Sequence, residues 1–375
     1  MKRITVALEH RFFSFNGMVY TKLSFPYLYW KDYLSYFDEV KVVARVKNIS
    51  EIDSSYIRVD GDRVEVISMP YYVGIKEFIF NFHKLFYKSF RVVKGSESLL
   101  LRSGNISNLL WPFAILTKTP YLREYPGNVK EGVRGFGGES LFIRFISNIL
   151  DRYARVQAKY SKANSYVSEY CRALYPSNNR GYVFSSFNSD EILIKKIKNK
   201  NDPIRLISVG RLEGEKGHLD LIDAIPLIGL DVEVIIVGDG SQRPHLESHS
   251  NNLGLNVNFL GAITDRELLF ELIASSDVFV IPSHTEGMPR SLLEAMTIGL
   301  PCIGSSVGGI PEVLEEKMLF SPKNPKSCAK KILELISSDE IIEEQELRNL
   351  NFINDNYSKQ ALDEKKVNFW SELYS

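Results

Sequence analysis

Cysteine is almost missing from this chain, and the three it has, Cys171, Cys302 and Cys328, lie far apart among 375 residues. They make neither a disulfide framework nor a metal-binding spacing, which points to a reducing compartment. Long apolar runs are missing too, since none approaches the roughly 18 residues needed to span a bilayer. The first strand-like run, Ile4 to Leu8, meets Glu9, His10 and Arg11 almost at once, too soon for the core of a secretory signal. A cytoplasmic protein, not integral to a membrane, is therefore expected. No internal repeat or low-complexity tract is visible, which argues against a solenoid. Net charge is also missing, with 46 Lys and Arg against 46 Asp and Glu, but the zero conceals a split. Residues 1–180 carry 27 basic and 16 acidic side chains, a balance of +11, and the remainder carries 19 and 30, a balance of −11. A basic first half suits an anionic partner: nucleic acid, a phospholipid surface, or an acceptor bearing phosphate. A chance split of solvated surface charge is the plain alternative.

What is present is the composition of a soluble globular protein, and at roughly 100–200 residues per domain the length suggests two. The second half has a regular rhythm. β-Branched runs at 204–209, 232–237, 257–260, 278–281 and 302–304 alternate with amphipathic stretches at 217–228, 242–253, 265–275, 290–298 and 310–316. That alternation predicts an α/β domain with a parallel sheet covered on both faces, doubly wound and Rossmann-like. Its ligands would sit beyond the carboxyl ends of the strands. The first half is less regular but of the same class, with strands expected at 4–8, 40–46, 64–68, 99–102, 121–124 and 165–168 and helices at 76–90, 141–159 and 169–174. The expected division is 1–187 for an N-terminal domain, 188–355 for a C-terminal domain, and 356–375 for a last helix packing back on the N-terminal domain. That helix would present Leu362, Val367, Trp370 and Leu373 on one side.

The strongest chemical signal runs from Ser283 to Met296, where a strand, a Gly/Pro turn and a helix beginning near Pro289 follow one another. Free N–H groups of such a first turn, aided by the helix dipole, make an anion site. A diphosphate would lie over Met288, Pro289, Arg290 and Ser291, with Gly287 in the turn. Glu294, one turn inside, can reach vicinal hydroxyls, and Glu286 can face a sugar hydroxyl on the other side of the phosphates. The plain alternative is two surface carboxylates at an ordinary junction. A second signal, Gly210-Arg211-Leu212 followed by Lys216-Gly217, closes one strand and sets two cations at the same edge, where charge-assisted contacts to a leaving diphosphate are strong. Gly238-Asp239-Gly240 nearly matches a dinucleotide fingerprint, but Arg243 stands where its last glycine would be. Asp60-Gly61-Asp62 spells a metal-binding D-x-D, yet Asp-Gly between strand-like runs reads as a hairpin turn.

Taken together, the run from Gly210 to Leu314 resembles the nucleotide-sugar domain of glycosyltransferase family 4, retaining enzymes of the GT-B architecture. The resemblance rests on Gly210-Arg211-Leu212, Lys216-Gly217, Val237-Gly238-Asp239-Gly240, Phe259-Leu260-Gly261, Ser276-Asp277-Val278, the Glu286–Glu294 spacing, and Val307-Gly308-Gly309-Ile310-Pro311-Glu312. It implies two Rossmann-like domains facing each other across a cleft, and transfer with retention at the anomeric carbon without a required metal or other cofactor. Arg211, Lys216 and Glu286 would be the catalytic set. Gly210, Ile263, Gly287, Met288, Pro289, Arg290, Ser291 and Glu294 would bind the donor, Ile263 through its backbone. Asn16 and Gly17 would correspond to the family's glycine loop beneath the phosphates. Many members carry a His after the strand at 121–124, and here Leu122-Arg123-Glu124-Tyr125-Pro126 has none. His10, Arg123 and Glu124 are the candidates on the acceptor side.

The implied partners are a nucleotide sugar and a saccharide or lipid-linked acceptor in cell-surface polysaccharide synthesis, not nucleic acid. Aromatics beside cations at 76–90 and 141–159 fit peripheral contact with the inner face of an anionic membrane, although rings on amphipathic helices more commonly face a core. The rival readings are a catalytically degenerate nucleotide-sugar-binding or partner protein, or another GT-B enzyme such as an epimerase.

Overall fold

The computed structural model describes residues 1–22, 24–137, 140–197 and 203–375. Strands β1 (Arg3–Phe15), β2 (Met18–Thr21), β3 (Glu39–Asn48), β4 (Ile57–Arg58), β5 (Val64–Met69), β6 (Leu99–Leu101), β7 (Tyr121–Tyr125), β8 (Ala163–Tyr166) and β9 (Arg180–Val183) form the first sheet. Its parallel body runs β5-β3-β1-β6-β7-β8-β9. Strands β10 (Ile204–Val209), β11 (Val232–Val237), β12 (Val257–Gly261), β13 (Val278–Ile281), β14 (Cys302–Ser305) and β15 (Leu319–Phe320) form the second, in the order β12-β11-β10-β13-β14-β15. Both sheets reverse direction of winding beside their first strand, so each has a switch-point crevice at its carboxyl edge.

The C-terminal elements follow the sequence periodicity because the central strands β11, β13 and β14 are mainly apolar and buried. All four residues of β13 are buried, as a strand covered by helices on both faces requires. Helix ends carry their own signals. Asp265 accepts from the Glu267 and Leu268 N–H groups, and Gly229 and Gly299 end their helices at φ of 72° and 89°, a conformation glycine adopts without a Cβ penalty. The expected helix at 310–316 is only a single tight turn, Ile310–Glu312. The expected domain division at 187/188 is followed by a connector of which residues 198–202 lie outside the described residues.

The N-terminal domain departs more. β1 does not stop at Leu8. It bulges between Ala7 and Arg11, then continues along β3 to Ser14 and turns back into β2. Asn16 and Gly17, at φ of 48° and 77°, form the turn of that hairpin, the conformation for which Asn-Gly is favoured. Asp60 is tied into the same region, accepting from the Val19 N–H and the Arg58 guanidinium. The helix expected at 76–90 is two, Gly74–Phe80 and Phe82–Lys94, broken at Asn81.

The helix Asp339–Tyr357 stays with the C-terminal domain, where Ile353 and Tyr357 join the core. The chain then crosses back as Lys359–Ser371. Trp370 packs on Tyr33, with ring centroids 4.9 Å apart, and on Phe37. Phe369 meets Tyr182 and Phe184, and Glu372 pairs with Arg180. The inward set is Leu362, Phe369, Trp370 and Leu373, while Val367 is exposed. The domains also touch across the cleft. Glu312 accepts from the Glu169 and Tyr170 N–H groups, both at 2.7 Å, and Thr285 hydrogen-bonds Glu131.

Candidate functional site

A cavity of about 570 Å³ lies at the switch point of the second sheet, where the chain leaves β10 and β13. Gly210, Arg211, Lys216, Glu286, Met288, Pro289, Arg290, Ser291 and Glu294 all line it. Segments distant in sequence come together because the backbones approach closely. A Cβ on Gly217 would lie 2.1 Å from the Pro282 carbonyl oxygen, and one on Gly308 1.8 Å from that of Glu286. At both points only glycine fits, and both φ values are positive, 67° and 55°.

Lys216 Nζ lies 2.6 Å from Glu286 Oε1. The same oxygen accepts from Ser283 Oγ at 2.7 Å, so Glu286 is held by a charge and a neutral donor at once. Arg211 is half-exposed and paired with Glu215 at 2.8 Å. The helix Arg290–Ile298 begins after Pro289, whose side chain cannot cap it. Its first N–H groups therefore face the cavity mouth without a side-chain acceptor of the usual kind. Ser291 Oγ donates to the Val209 carbonyl at 3.0 Å, tying the helix start to β10. Glu294 is buried and meets Arg266 Nη2 at 2.9 Å. Four cations (Arg211, Lys216, Arg266 and Arg290), a helix start and two carboxylates thus surround one volume, an arrangement that can bind a diphosphate and hydroxyls beside it.

Some expected residues lie elsewhere. Arg123 is a core residue, donating to Gln157 Oε1 and to the Leu101 and Glu124 carbonyls, so it cannot reach the cleft. Asn16 and Gly17 are carried away by the extension of β1, and Gly17 borders a separate groove with Arg58, Asp60 and Asp62. Ile263 packs against the C-terminal core and does not line the cavity. Gly287 sits where the domains touch, against the Pro126 carbonyl and Gly127. His10 and Glu124 do share a small recess on the N-terminal side with Phe25, Arg102 and Pro126. Burial, then the charges of Arg45 and Arg11, hold the His10 imidazole down at about 4.

Sequence reading missed Arg266, Ser283, His218 and Arg102. Arg266 opens a helix capped by Asp265 and carried a legible signal, a cation at a strand-to-helix junction of the same sheet. Arg102 carried none: its partners Glu124, at 2.7 Å, and Tyr29, at 3.0 Å, are brought by other strands and helices. His218 is buried at the cavity floor, and burial, then Lys216, lowers its pKa to about 4. Among the described residues no group of three or more His, Cys, Asp or Glu is arranged to hold a metal ion.

Two doubly wound domains facing each other across a cleft define a protein of the GT-B class. Residues 189–350 match the family described as Glycosyl transferases group 1. Among relatives, Protein CapJ of Staphylococcus aureus is 28% identical over 343 residues, covering 88% of this chain and 85% of that one. The putative teichuronic acid biosynthesis glycosyltransferase TuaC of Bacillus subtilis is 28% identical over 158 residues, 40% of this chain and 39% of its own. Among solved structures, Anabaena HepE in complex with UDP superimposes with a TM-score of 0.70 at 16% identity, over 99% of this chain and 100% of that one.

Proposed function

We propose that this protein transfers a hexosyl or related sugar from a nucleotide diphosphate sugar to an acceptor hydroxyl, with retention at the anomeric carbon. The observation that carries the reading is the convergence of Lys216, Glu286 and the start of helix Arg290–Ile298 on one cavity at the β10/β13 switch point. The diphosphate would take over Lys216 and the N–H groups of Arg290 and Ser291, with Arg211 alongside. Glu286, released from Lys216, would face the donor sugar, and Glu294 the ribose. As the bond from the anomeric carbon to the phosphate oxygen breaks, the acceptor oxygen bonds to the same face. The departing phosphate oxygen takes the acceptor's proton. Fixed cations and N–H groups aimed at that developing charge supply the acceleration, each donor worth about 3–4 kcal/mol. No step requires a metal.

The acceptor would enter from the N-terminal side, past His10 and Glu124. A saccharide or lipid-linked saccharide of the cell surface fits this reading, which the name of the Bacillus relative supports, and the reaction would run in the cytoplasm. Thermal shift with a panel of nucleotide sugars tests the donor, because ligand bound only to the native state raises its melting temperature. Release of free sugar without acceptor then tests chemistry. If no nucleotide sugar stabilises the protein, the reading fails. If one binds and no bond is cleaved with any acceptor, the degenerate-binder alternative takes its place.

A further inference from the structure

We propose that Glu312 is a positioning residue for the cavity at the β10/β13 switch point, acting on Glu286 across the domain boundary. The task of that cavity rests on the reading given above, while the contact stands apart from it. Both oxygens of the Glu312 carboxylate are engaged by the opposite domain, Oε2 by the Glu169 N–H and Oε1 by the Tyr170 N–H, each at 2.7 Å. Those are the first two amides of helix Glu169–Leu174, which a helix leaves without intrahelical partners. The helix supplies one cap of its own, Ser168 Oγ, which accepts from the Cys171 N–H at 3.2 Å. The other two amides are satisfied from across the boundary, by a carboxylate, the stronger kind of acceptor.

Glu312 is tied as firmly to the loop of Glu286. Its own N–H donates to the Gly309 carbonyl at 3.1 Å, and nearby Ile310 and Val313 are buried in the C-terminal core. Gly308 and Gly309 lie against the backbone of Glu286 and Gly287. A Cβ on the first would come within 1.8 Å of the Glu286 carbonyl oxygen, and one on the second within 2.3 Å of that of Gly287. On its other side the same loop meets the N-terminal domain, where Gly287 faces the Pro126 carbonyl and Thr285 hydrogen-bonds Glu131. The backbone that carries Glu286 is therefore held between two layers, and Glu312 pins those layers together. Helix capping accounts for the two hydrogen bonds. It does not account for the seat of the cap, on the same short turn as the glycines that press on the Glu286 loop. Loss of the pin should free that loop without unfolding either domain.

Two variants break the contact from opposite domains. Glu312→Ala removes both acceptors. Glu169→Pro removes one donor at the first helical position, where proline is favoured. It follows Ser168, whose extended backbone (φ −158°, ψ 159°) suits a residue before proline, and it gives up a surface pair with Arg172. Small-angle scattering without ligand is independent of the donor reading, and each variant should show a larger radius of gyration than the wild type. The cations that line the cavity all belong to the C-terminal domain. Uridine, guanosine and adenosine diphosphates should therefore bind each variant with wild-type affinity in titration calorimetry. Turnover of the nucleotide sugar that stabilises the wild type should fall about tenfold or more in each, the worth of one hydrogen bond to a charged group. The double variant should be no slower than the slower single, because both changes break one contact. Glu312→Gln, which keeps one acceptor oxygen, should recover part of the loss. Unchanged scattering, a loss of diphosphate affinity that matches the loss of turnover, or losses that multiply in the double variant would each overturn the proposal. So would a lower melting temperature with turnover intact, the mark of a helix cap and nothing more. Should the wild type bind none of the three diphosphates, the donor reading falls, and the scattering of the two variants decides whether Glu312 pins the domains.

Discussion

Lys216 and Glu286, seventy residues apart in sequence, meet at 2.6 Å where the loops after β10 and β13 cross. The carboxylate is the more enclosed partner, its side chain 9% exposed against 21% for the lysine. Removing the cation therefore leaves a nearly buried charge with one neutral donor, Ser283. Lys216→Met should lower both turnover and melting temperature, turnover by about 10²–10³. Glu286→Gln keeps an acceptor for Ser283 and should lower turnover with little loss of stability. Steady-state kinetics with scanning calorimetry on the two variants checks the contrast, and equal stability losses would contradict it.

Arg211 gives a complementary case. Its side chain is half-exposed and its pair with Glu215 is a surface one, worth little to the fold. Arg211→Ala should leave the melting temperature within a degree or two while turnover drops on the order of a hundredfold or more. Near wild-type transfer would remove Arg211 from the mechanism.

Glu294 is buried against Arg266 inside the first turns of helix Arg290–Ile298. If it holds vicinal hydroxyls of the nucleoside, Glu294→Gln should weaken nucleoside diphosphate binding at least about tenfold, roughly 1.4 kcal/mol. Titration calorimetry with the ribo- and 2′-deoxy forms of the diphosphate is the measurement. The wild type should prefer the ribo form and the variant should not.

Gly308 approaches the Glu286 carbonyl so closely that a methyl group cannot be inserted, and its φ is +55°. Gly308→Ala should push the Glu286 loop outward, costing about 1–3 kcal/mol from the backbone alone and disabling donor binding. A drop in melting temperature that nucleoside diphosphate no longer reverses is the expected signature.

His218 ties stability to pH. Its pKa is about 4 when folded, lowered first by burial and then by Lys216, against about 6.5 in an unfolded chain. Between those values the unfolded chain binds more protons. The neutral imidazole thus supports the fold fully above pH 6.5, and that support drains as pH falls toward 4, on the order of 3 kcal/mol in all. His218→Gln should flatten this part of the unfolding free energy curve between pH 6.5 and 4. An unchanged slope would contradict the assignment.

In the C-terminal domain the strands from Ile204 to Ser305 were legible from local pattern, whereas helices Pro325–Ile336 and Asp339–Tyr357 were not. In β11 and β13 nearly all apolar residues are buried, so local hydrophobicity and burial agree there. The strand-turn-helix junctions at Gly210 and Gly287 mark the carboxyl edge without any knowledge of packing. Arg211, Lys216, Glu286, Arg290, Ser291 and Glu294 could therefore be assembled from sequence order alone. The N-terminal domain was less legible because its decisive contacts are long-range. Arg123 reads as a charged residue at a strand end, yet Gln157 and the Leu101 carbonyl turn it inward. Asn16-Gly17 reads equally as a hairpin or a ligand loop, and only the continued pairing of β1 with β3 decides between them.

The chain's own order of apolar runs, glycines and charges determined two α/β domains and the chemistry available at the rim of the second. Local pattern suffices for that, since periodicity and turn residues act over a few neighbours. Tertiary structure decided which charges are paired, that His218 is buried, that Val367 is left out of the last helix's packed face, and that the rings of helices Phe82–Lys94 and Leu141–Tyr160 face outward. Those outcomes depend on which surfaces meet after the chain has folded, and spacing along the sequence carries no record of them.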